Sequence, residues 1–175
     1  NEDALTSRVV QWHPLKLSSP SELKLDLTLQ CGQAFRWKKR ENCEWFGVLN
    51  EVVIGLKEDP QDVYFSVLAK KEYHEDSIRA LLRDYFRLDV NLSALCREWS
   101  QSDPSFVDYA TKFAGLRLLR QNPVECLISF ICSQNNNIQR ITKMIDSLCS
   151  KFGVPICTHA GIEFFTFPTL EALAA

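Results

Sequence analysis

Trp45-Phe-Gly-Val-Leu-Asn-Glu-Val-Val-Ile-Gly-Leu-Lys-Glu-Asp-Pro-Gln-Asp-Val-Tyr-Phe-Ser-Val-Leu68 is the stretch that decides the fold. Three apolar runs, Trp45–Leu49, Val52–Leu56 and Val63–Leu68, are separated only by Asn50-Glu51 and by a polar link centred on Glu58-Asp-Pro-Gln-Asp62. Short runs rich in β-branched and aromatic residues, joined by links too short for a crossover helix, predict an antiparallel meander. Toward the N-terminus, Ser21-Glu-Leu-Lys-Leu-Asp-Leu-Thr-Leu29 places Leu23, Leu25, Leu27 and Leu29 at every second position. That is the period of a half-buried strand. Gln30-Cys-Gly-Gln33 interrupts the alternation and Ala34-Phe-Arg-Trp37 resumes it, which predicts a further strand. Phe35, Trp37, Trp45 and Phe46 are read as core residues rather than as stacking platforms for single-stranded nucleic acid.

Toward the C-terminus the period changes. Ile78, Leu81, Leu82, Tyr85 and Phe86 form one helical stripe, and Leu92, Leu95, Cys96 and Trp99 another. Asp103-Pro104 pairs a cap with a proline at the first helical position, and the following helix is expected to turn Phe106, Tyr109, Ala110 and Phe113 inward and to end at Gly115. Asn122-Pro123-Val-Glu125 carries the same start signal for an apolar helix through Leu127, Phe130 and Ile131 to about Ser133. The next helix bears Ile138, Ile141, Ile145, Leu148 and Phe152 on one face and closes at Gly153. Phe167-Pro-Thr-Leu-Glu-Ala-Leu-Ala-Ala175 opens one more helix with no stop signal. With the absence of a starting Met, this suggests a piece of a longer protein. The fold class expected is α+β, strands first and helices after.

Twenty Lys and Arg against twenty-two Asp and Glu give a net charge of −2, an unpromising total for a nucleic-acid binder. The charge is unevenly placed. Between Lys112 and Lys151 six bases face only Glu125 and Asp146, so that stretch is +4 and the remainder −6. A basic segment in an acidic chain is a candidate phosphate-contact surface, and equally a solvated helical face. The seven cysteines are odd in number and form no Cys-x-x-Cys pair; with Cys126, Cys132 and Cys149 inside apolar helical patterns they read as reduced core thiols. No metal site and no cofactor are expected. No apolar run is long enough to span a membrane, and the polar opening Asn1-Glu2-Asp3 is unlike a secretory signal. His13, His74 and His159 are read as passive.

Gln134-Asn-Asn-Asn137 lies between the two strongest helices. A helix N-terminus offers free N–H groups, and asparagine amides can both donate to and accept from base edges; asparagine is also common in turns that merely link helices. Arg140 points away from the apolar stripe, where its guanidinium can fork onto a base edge or phosphate, or simply meet water. Gly32 marks a break in the β region, either a close approach to a ligand or an ordinary turn.

Gly-Gln-Ala-Phe-Arg-Trp (32–37), Leu-Leu-Arg-Gln-Asn-Pro-Val-Glu-Cys-Leu-Ile-Ser-Phe-Ile-Cys-Ser-Gln-Asn-Asn-Asn-Ile-Gln-Arg-Ile (118–141) and Phe-Pro-Thr-Leu-Glu-Ala-Leu-Ala (167–174) closely resemble the eukaryotic-type 8-oxoguanine DNA glycosylases. The resemblance implies an antiparallel sheet domain with helices, residues 1–102, packed on the start of an all-α helix-hairpin-helix domain, residues 103–175, incomplete. It implies base-excision repair: recognition and removal of 8-oxoguanine opposite cytosine, with associated strand cleavage, on double-stranded DNA. It also implies three residue roles. Asn135 would enter the space left by the flipped base and contact the orphaned cytosine, Arg140 would donate to that cytosine, and the Gly32 carbonyl would recognise the oxidised base. The family's hairpin motif, nucleophilic Lys and downstream Asp find no match here. No catalytic residue is therefore expected in this chain, and the chain alone is expected to be inactive. The remaining expectations are a monomer, a nuclear or mitochondrial address, and no membrane. A non-catalytic DNA- or partner-binding module from a shortened form is the competing reading. A glycosylase for alkylated bases with the same layout is a third, disfavoured by the Gln-Asn-Asn-Asn-Ile-x-Arg run.

Overall fold

The computed structural model describes residues 10–69 and 73–174; the readings placed on Asn1-Glu2-Asp3 and on Ala175 lie outside them. The meander is present. Strands β1 (His13–Pro14), β2 (Lys38–Lys39), β3 (Trp45–Leu49), β4 (Val52–Glu58) and β5 (Val63–Ala69) form one antiparallel sheet in the order β1-β5-β4-β3-β2. Val53 and Ile54 straddle a register shift against β5.

Both faces of this sheet are covered, which is why its strands read as unbroken apolar runs. One face carries Trp45, Val52, Ile54, Leu56 and Phe65 against helices α1 (Leu25–Gln30) and α2 (Glu75–Tyr85), which contribute Leu25, Leu29, Ile78, Leu82 and Tyr85. The other carries Phe46, Val48 and Val53 against a two-stranded hairpin, β6 (Pro155–His159) and β7 (Ile162–Phe165). Position 47 on β3 needs a glycine because a Cβ there would sit 2.5 Å from the Trp37 ring.

Several expectations are corrected. Residues 21–29 are not a strand: Pro20–Glu22 is a 3₁₀ turn, Leu23 and Lys24 are extended, and Leu25–Gln30 is helical. Leucines at alternate positions also satisfy the helical i, i+4 spacing of Leu25 and Leu29, and Thr28 completes the buried face. The Glu58 carboxylate accepts from the Leu25 amide at 3.0 Å, holding the helix start that the strand reading missed. Residues 34–37 are irregular, and pairing begins only at Lys38, although Phe35 and Trp37 are buried as expected along with Trp45 and Phe46. The hairpin β6–β7 interrupts the helical half, where no strand was expected.

The remaining helices are α3 (Leu92–Ser102), α4 (Val107–Lys112), α5 (Pro123–Ser133), α6 (Ile138–Phe152) and the short α7 (Leu170–Ala174); Asp103-Pro104 opens a 3₁₀ turn, Pro104–Phe106, and the α-helix begins only after it. Phe106 meets Trp99 edge-on, but Tyr109 and Phe113 face outward, as do Leu127, Phe130 and Ile131 on α5. Cys126 is exposed and Cys132 half-buried; only Cys149 of the three is a core thiol. His13 is not passive, since its Nδ1 lies 2.8 Å from the Glu75 carboxylate. No helix among the described residues is long and apolar enough to cross a membrane.

A buried ion pair ties the layers together. The Arg117 guanidinium bonds the Glu22 carboxylate and donates to the main-chain oxygens of Glu22 (2.6 Å), Arg87 (2.8 Å) and Val90 (2.8 Å). The same carboxylate accepts from the amides of Leu92 and Ser93 at the start of α3. Arg117 therefore does not belong to a basic surface, and Arg120 is engaged by Asp84.

Candidate nucleic-acid interface

The turn between α5 and α6 is built by division of labour among its asparagines. Asn122 first sets α5, its Oδ1 accepting from the amides of Val124 (2.9 Å) and Glu125 (3.2 Å). The helix ends at Ser133, and the chain reverses at Asn135, whose φ of +49° lies in the left-handed region. Asn136 donates to the Cys132 carbonyl (2.8 Å) and accepts from the Asn137 amide (2.9 Å). Asn137 caps α6, its Oδ1 accepting from the Arg140 amide at 3.1 Å. Asn136 and Asn137 are thus occupied in holding the turn. Asn135 is exposed, and its side chain has no hydrogen-bond partner among the described residues. The backbone of such a turn is costly for a side-chain-bearing residue, and asparagine tolerates it best after glycine.

Arg140 lies exposed on the first turn of α6, with no ion-pair partner among the described residues. The buried stripe of the same helix is Ile141, Ile145 and Cys149, packed on Phe35. Lys143 and Lys151 are exposed on the same helix, so with Arg117 and Arg120 engaged the exposed bases of this region without an ion-pair partner among the described residues are Lys112 on α4 and Arg140, Lys143 and Lys151 on α6. The N-terminal turn of α6 adds amides at Ile138 and Gln139 that the Asn137 cap leaves free.

Gly32, more than a hundred residues away in sequence, belongs to the same place. Its φ is +85°, and a Cβ on it would lie 3.4 Å from Ile138 Cδ1 and 3.6 Å from Ile138 Cγ1. Ile138 opens the helix that bears Arg140 and directly follows the Asn135–Asn137 turn. The fold therefore brings Gly32, Asn135 and Arg140 onto adjacent turns of backbone. The periodicity assigned Ile138 to the buried stripe; it is instead half-exposed and bridges the two loops, for which its sequence context gave no signal. Gln33, which anchors the Gly32 loop, was also missed.

Among the described residues, no group of three or more His, Cys, Asp and Glu could hold a metal ion. The buried thiol of Cys149 is pushed above its ordinary range by burial, which makes it inert rather than nucleophilic. The arrangement offers hydrogen-bond donors, acceptors and positive charge. It suits binding.

The comparisons with known proteins show the family. Residues 16–127 match the family model described as "8-oxoguanine DNA glycosylase, N-terminal domain". The Arabidopsis thaliana N-glycosylase/DNA lyase OGG1 is 39% identical over 164 residues, covering 94% of this chain and 44% of that protein. The N-glycosylase/DNA lyase of Saccharomyces cerevisiae is 40% identical, covering 89% of this chain and 43% of its own length. Among solved structures, the Clostridium acetobutylicum 8-oxoguanine glycosylase/lyase in complex with double-stranded DNA containing cytosine opposite 8-oxoG is 31% identical with a TM-score of 0.77, over 87% of this chain and 50% of that one. The chain thus spans less than half the length of the curated relatives it matches. The α+β layout of meander and covering helices, joined to a family match over residues 16–127, places this chain in the 8-oxoguanine DNA glycosylase family.

Proposed function

We propose that this chain supplies the base-reading surface of a base-excision repair enzyme that removes 8-oxoguanine opposite cytosine from double-stranded DNA and cleaves the strand by an associated lyase step. The observation that carries the reading is the closeness of Gly32 to Ile138, where an added Cβ would come within 3.4 Å, which sets a glycine loop beside the Asn135 turn and Arg140. One surface can then address both halves of a base pair. The Gly32 carbonyl is assigned to the lesion. Guanine presents a bare acceptor at N7, whereas 8-oxoguanine carries N7–H there; a fixed carbonyl bonds the second and repels the first. Leaving a buried polar group unmatched costs about 1–3 kcal/mol, and sites built on hydrogen bonds discriminate far better than apolar ones. Asn135, poised with an unengaged amide, is assigned to the gap left by the extruded base. Arg140 is assigned to the acceptors of the orphaned cytosine. Filling the vacated space offsets part of the few kcal/mol that extrusion costs.

None of these three residues breaks a bond; they bind and select. The excision and lyase steps belong to the proposal for the whole protein, in which a lysine amine would attack C1′ of the sugar and displace the base, leaving a Schiff base. Residues 103–175 are proposed to open the helical domain of that protein, with the β6–β7 hairpin among them packed back on the sheet of the first domain. The protein is proposed to work as a monomer at nuclear or mitochondrial DNA.

Binding to duplexes that differ only at the partner base is the direct test. Arg140→Ala should weaken binding most when cytosine faces 8-oxoguanine; equal loss against all four partners would show a phosphate contact instead. Borohydride trapping of the native gene product on 8-oxoguanine opposite cytosine tests the lyase step. Preference for an alkylated purine would overturn the substrate assignment, and lesion-independent binding without trapping would favour a non-catalytic module.

A further inference from the structure

Residues 31–34 belong to no helix or strand, so nothing in the regular structure fixes the direction of the Gly32 peptide. The side chain next to it does. Gln33 Nε2 donates to the Arg117 carbonyl at 2.8 Å, and Gln33 Oε1 accepts from the Leu119 amide at 3.0 Å. This pairing, donor to one residue's carbonyl and acceptor from the next-but-one amide, is the pattern a neighbouring strand residue would make. It also fixes which end of the carboxamide is nitrogen. The Gln33 main-chain oxygen in turn accepts from Gln121 Nε2 at 2.8 Å.

The segment that receives these bonds is itself immobilised. Arg117 is held by its ion pair, its amide donates to Thr28 Oγ1 at 3.3 Å, and the Arg120 amide donates to the Tyr85 carbonyl at 2.8 Å. Gly32 is therefore tied through Gln33 to a rigid strap on one side, and on the other it lies close to Ile138. No other natural side chain offers one donor and one acceptor at this reach. Glutamate keeps only the acceptors, and asparagine is a methylene short.

We propose that Gln33 is a positioning residue for lesion discrimination: its carboxamide, bridging to residues 117 and 119, sets the direction of the Gly32 carbonyl. The inference rests on the lesion role assigned to Gly32. Removing the bridge lets the peptide rotate and blunts the distinction between N7 and N7–H, without weakening the grip on DNA.

The test measures affinities of the native gene product for three duplexes, each with cytosine opposite the variable site: 8-oxoguanine, guanine, and a tetrahydrofuran abasic analogue that presents no base. For Gln33→Leu the preference for 8-oxoguanine over guanine should fall by about tenfold or more, a single polar contact's worth, with abasic-site affinity within about twofold of the parent. Equal loss on all three duplexes would reduce Gln33 to a general structural role and overturn the proposal, as would an unchanged preference. A parent protein with no preference for 8-oxoguanine would instead bring down the Gly32 assignment, and this inference with it. Should Gln33→Leu fail to fold, Gln33→Asn, whose carboxamide is a methylene short of residues 117 and 119, faces the same comparison and criteria.

Discussion

Replacing Arg117 by methionine should cost this fold about 3–5 kcal/mol, the usual penalty for removing one partner of a buried ion pair. The pair is buried on both sides, each side chain being 4% exposed. Methionine preserves the length of the stem but removes donors to the Glu22 carboxylate and to three main-chain oxygens, those of Glu22, Arg87 and Val90. The carboxylate would keep its bonds from Leu92, Ser93 and the Ser93 hydroxyl and would stay charged without a counter-charge. For a domain of ordinary stability, about 5–15 kcal/mol, this is a large fraction of the whole. With a urea dependence of about 2 kcal/mol/M, the unfolding midpoint should drop by roughly 2 M. Equilibrium urea unfolding, followed by both far-UV circular dichroism and tryptophan fluorescence, reads the shift. The double substitution Glu22→Gln with Arg117→Met should recover a substantial part of the loss, because no charge is left behind. A single-variant cost below about 1 kcal/mol, or a double variant no better than the sum of the two singles, would refute the reasoning.

The same carboxylate gives a pH signature. Burial alone would raise the Glu22 carboxyl, but bonds from Ser93, the Leu92 and Ser93 amides and the Arg117 charge together hold it below the usual carboxylate range. A group with a depressed folded value stabilises above its unfolded pKa, about 4.3, and loses that contribution as pH falls through the folded value. The urea midpoint should therefore decline below about pH 4, and the decline should be shallower in Glu22→Gln. Gly47→Ala should destabilise by about 1–3 kcal/mol, since its methyl would meet the Trp37 ring at 2.5 Å; thermal unfolding at the parent midpoint checks this. Asn135→Gly relieves a left-handed residue at φ +49° and should leave stability unchanged or raise it by up to about 1 kcal/mol, while weakening lesion binding. Loss of both together would show that the Asn135 side chain holds the turn after all.

The meander was legible because strands covered on both faces write themselves as uninterrupted apolar runs, here bounded by Asn50-Glu51 and by the Glu58–Asp62 link. The helix start at Pro123 was legible because a cap is a chemical signature: Asn122 makes the very bonds that its residue type suggests. Residues 21–29 were misread because leucines at alternate positions suit a strand and a short helix alike, and the deciding contact comes from Glu58, on another strand. The hairpin β6–β7 was missed for a related reason. Its burial is bestowed by the sheet it lands on and is not written in its own alternation, which is broken at Pro155/Cys157. At the site, Asn135, Arg140 and Gly32 could be named from the family motifs alone. What ties them together could not. Ile138 and Gln33 act through distances to residues 32, 117 and 119, which no local pattern encodes.

The hairpin also sets the order in which this molecule can be made. Arg40 donates to the Ala160 carbonyl at 2.7 Å, and the Arg36 guanidinium reaches the Phe165 carbonyl, so contacts are closed across 120 and 129 residues of chain. During synthesis the meander emerges first, with Phe46, Val48 and Val53 bare on one side until Phe164 arrives to cover them. Long-range closures of this kind slow folding and leave apolar sheet surface open to other chains in the interval. The smallest piece of this protein able to shield its own sheet therefore runs past residue 127, where the family match ends, to the close of β7 at Phe165.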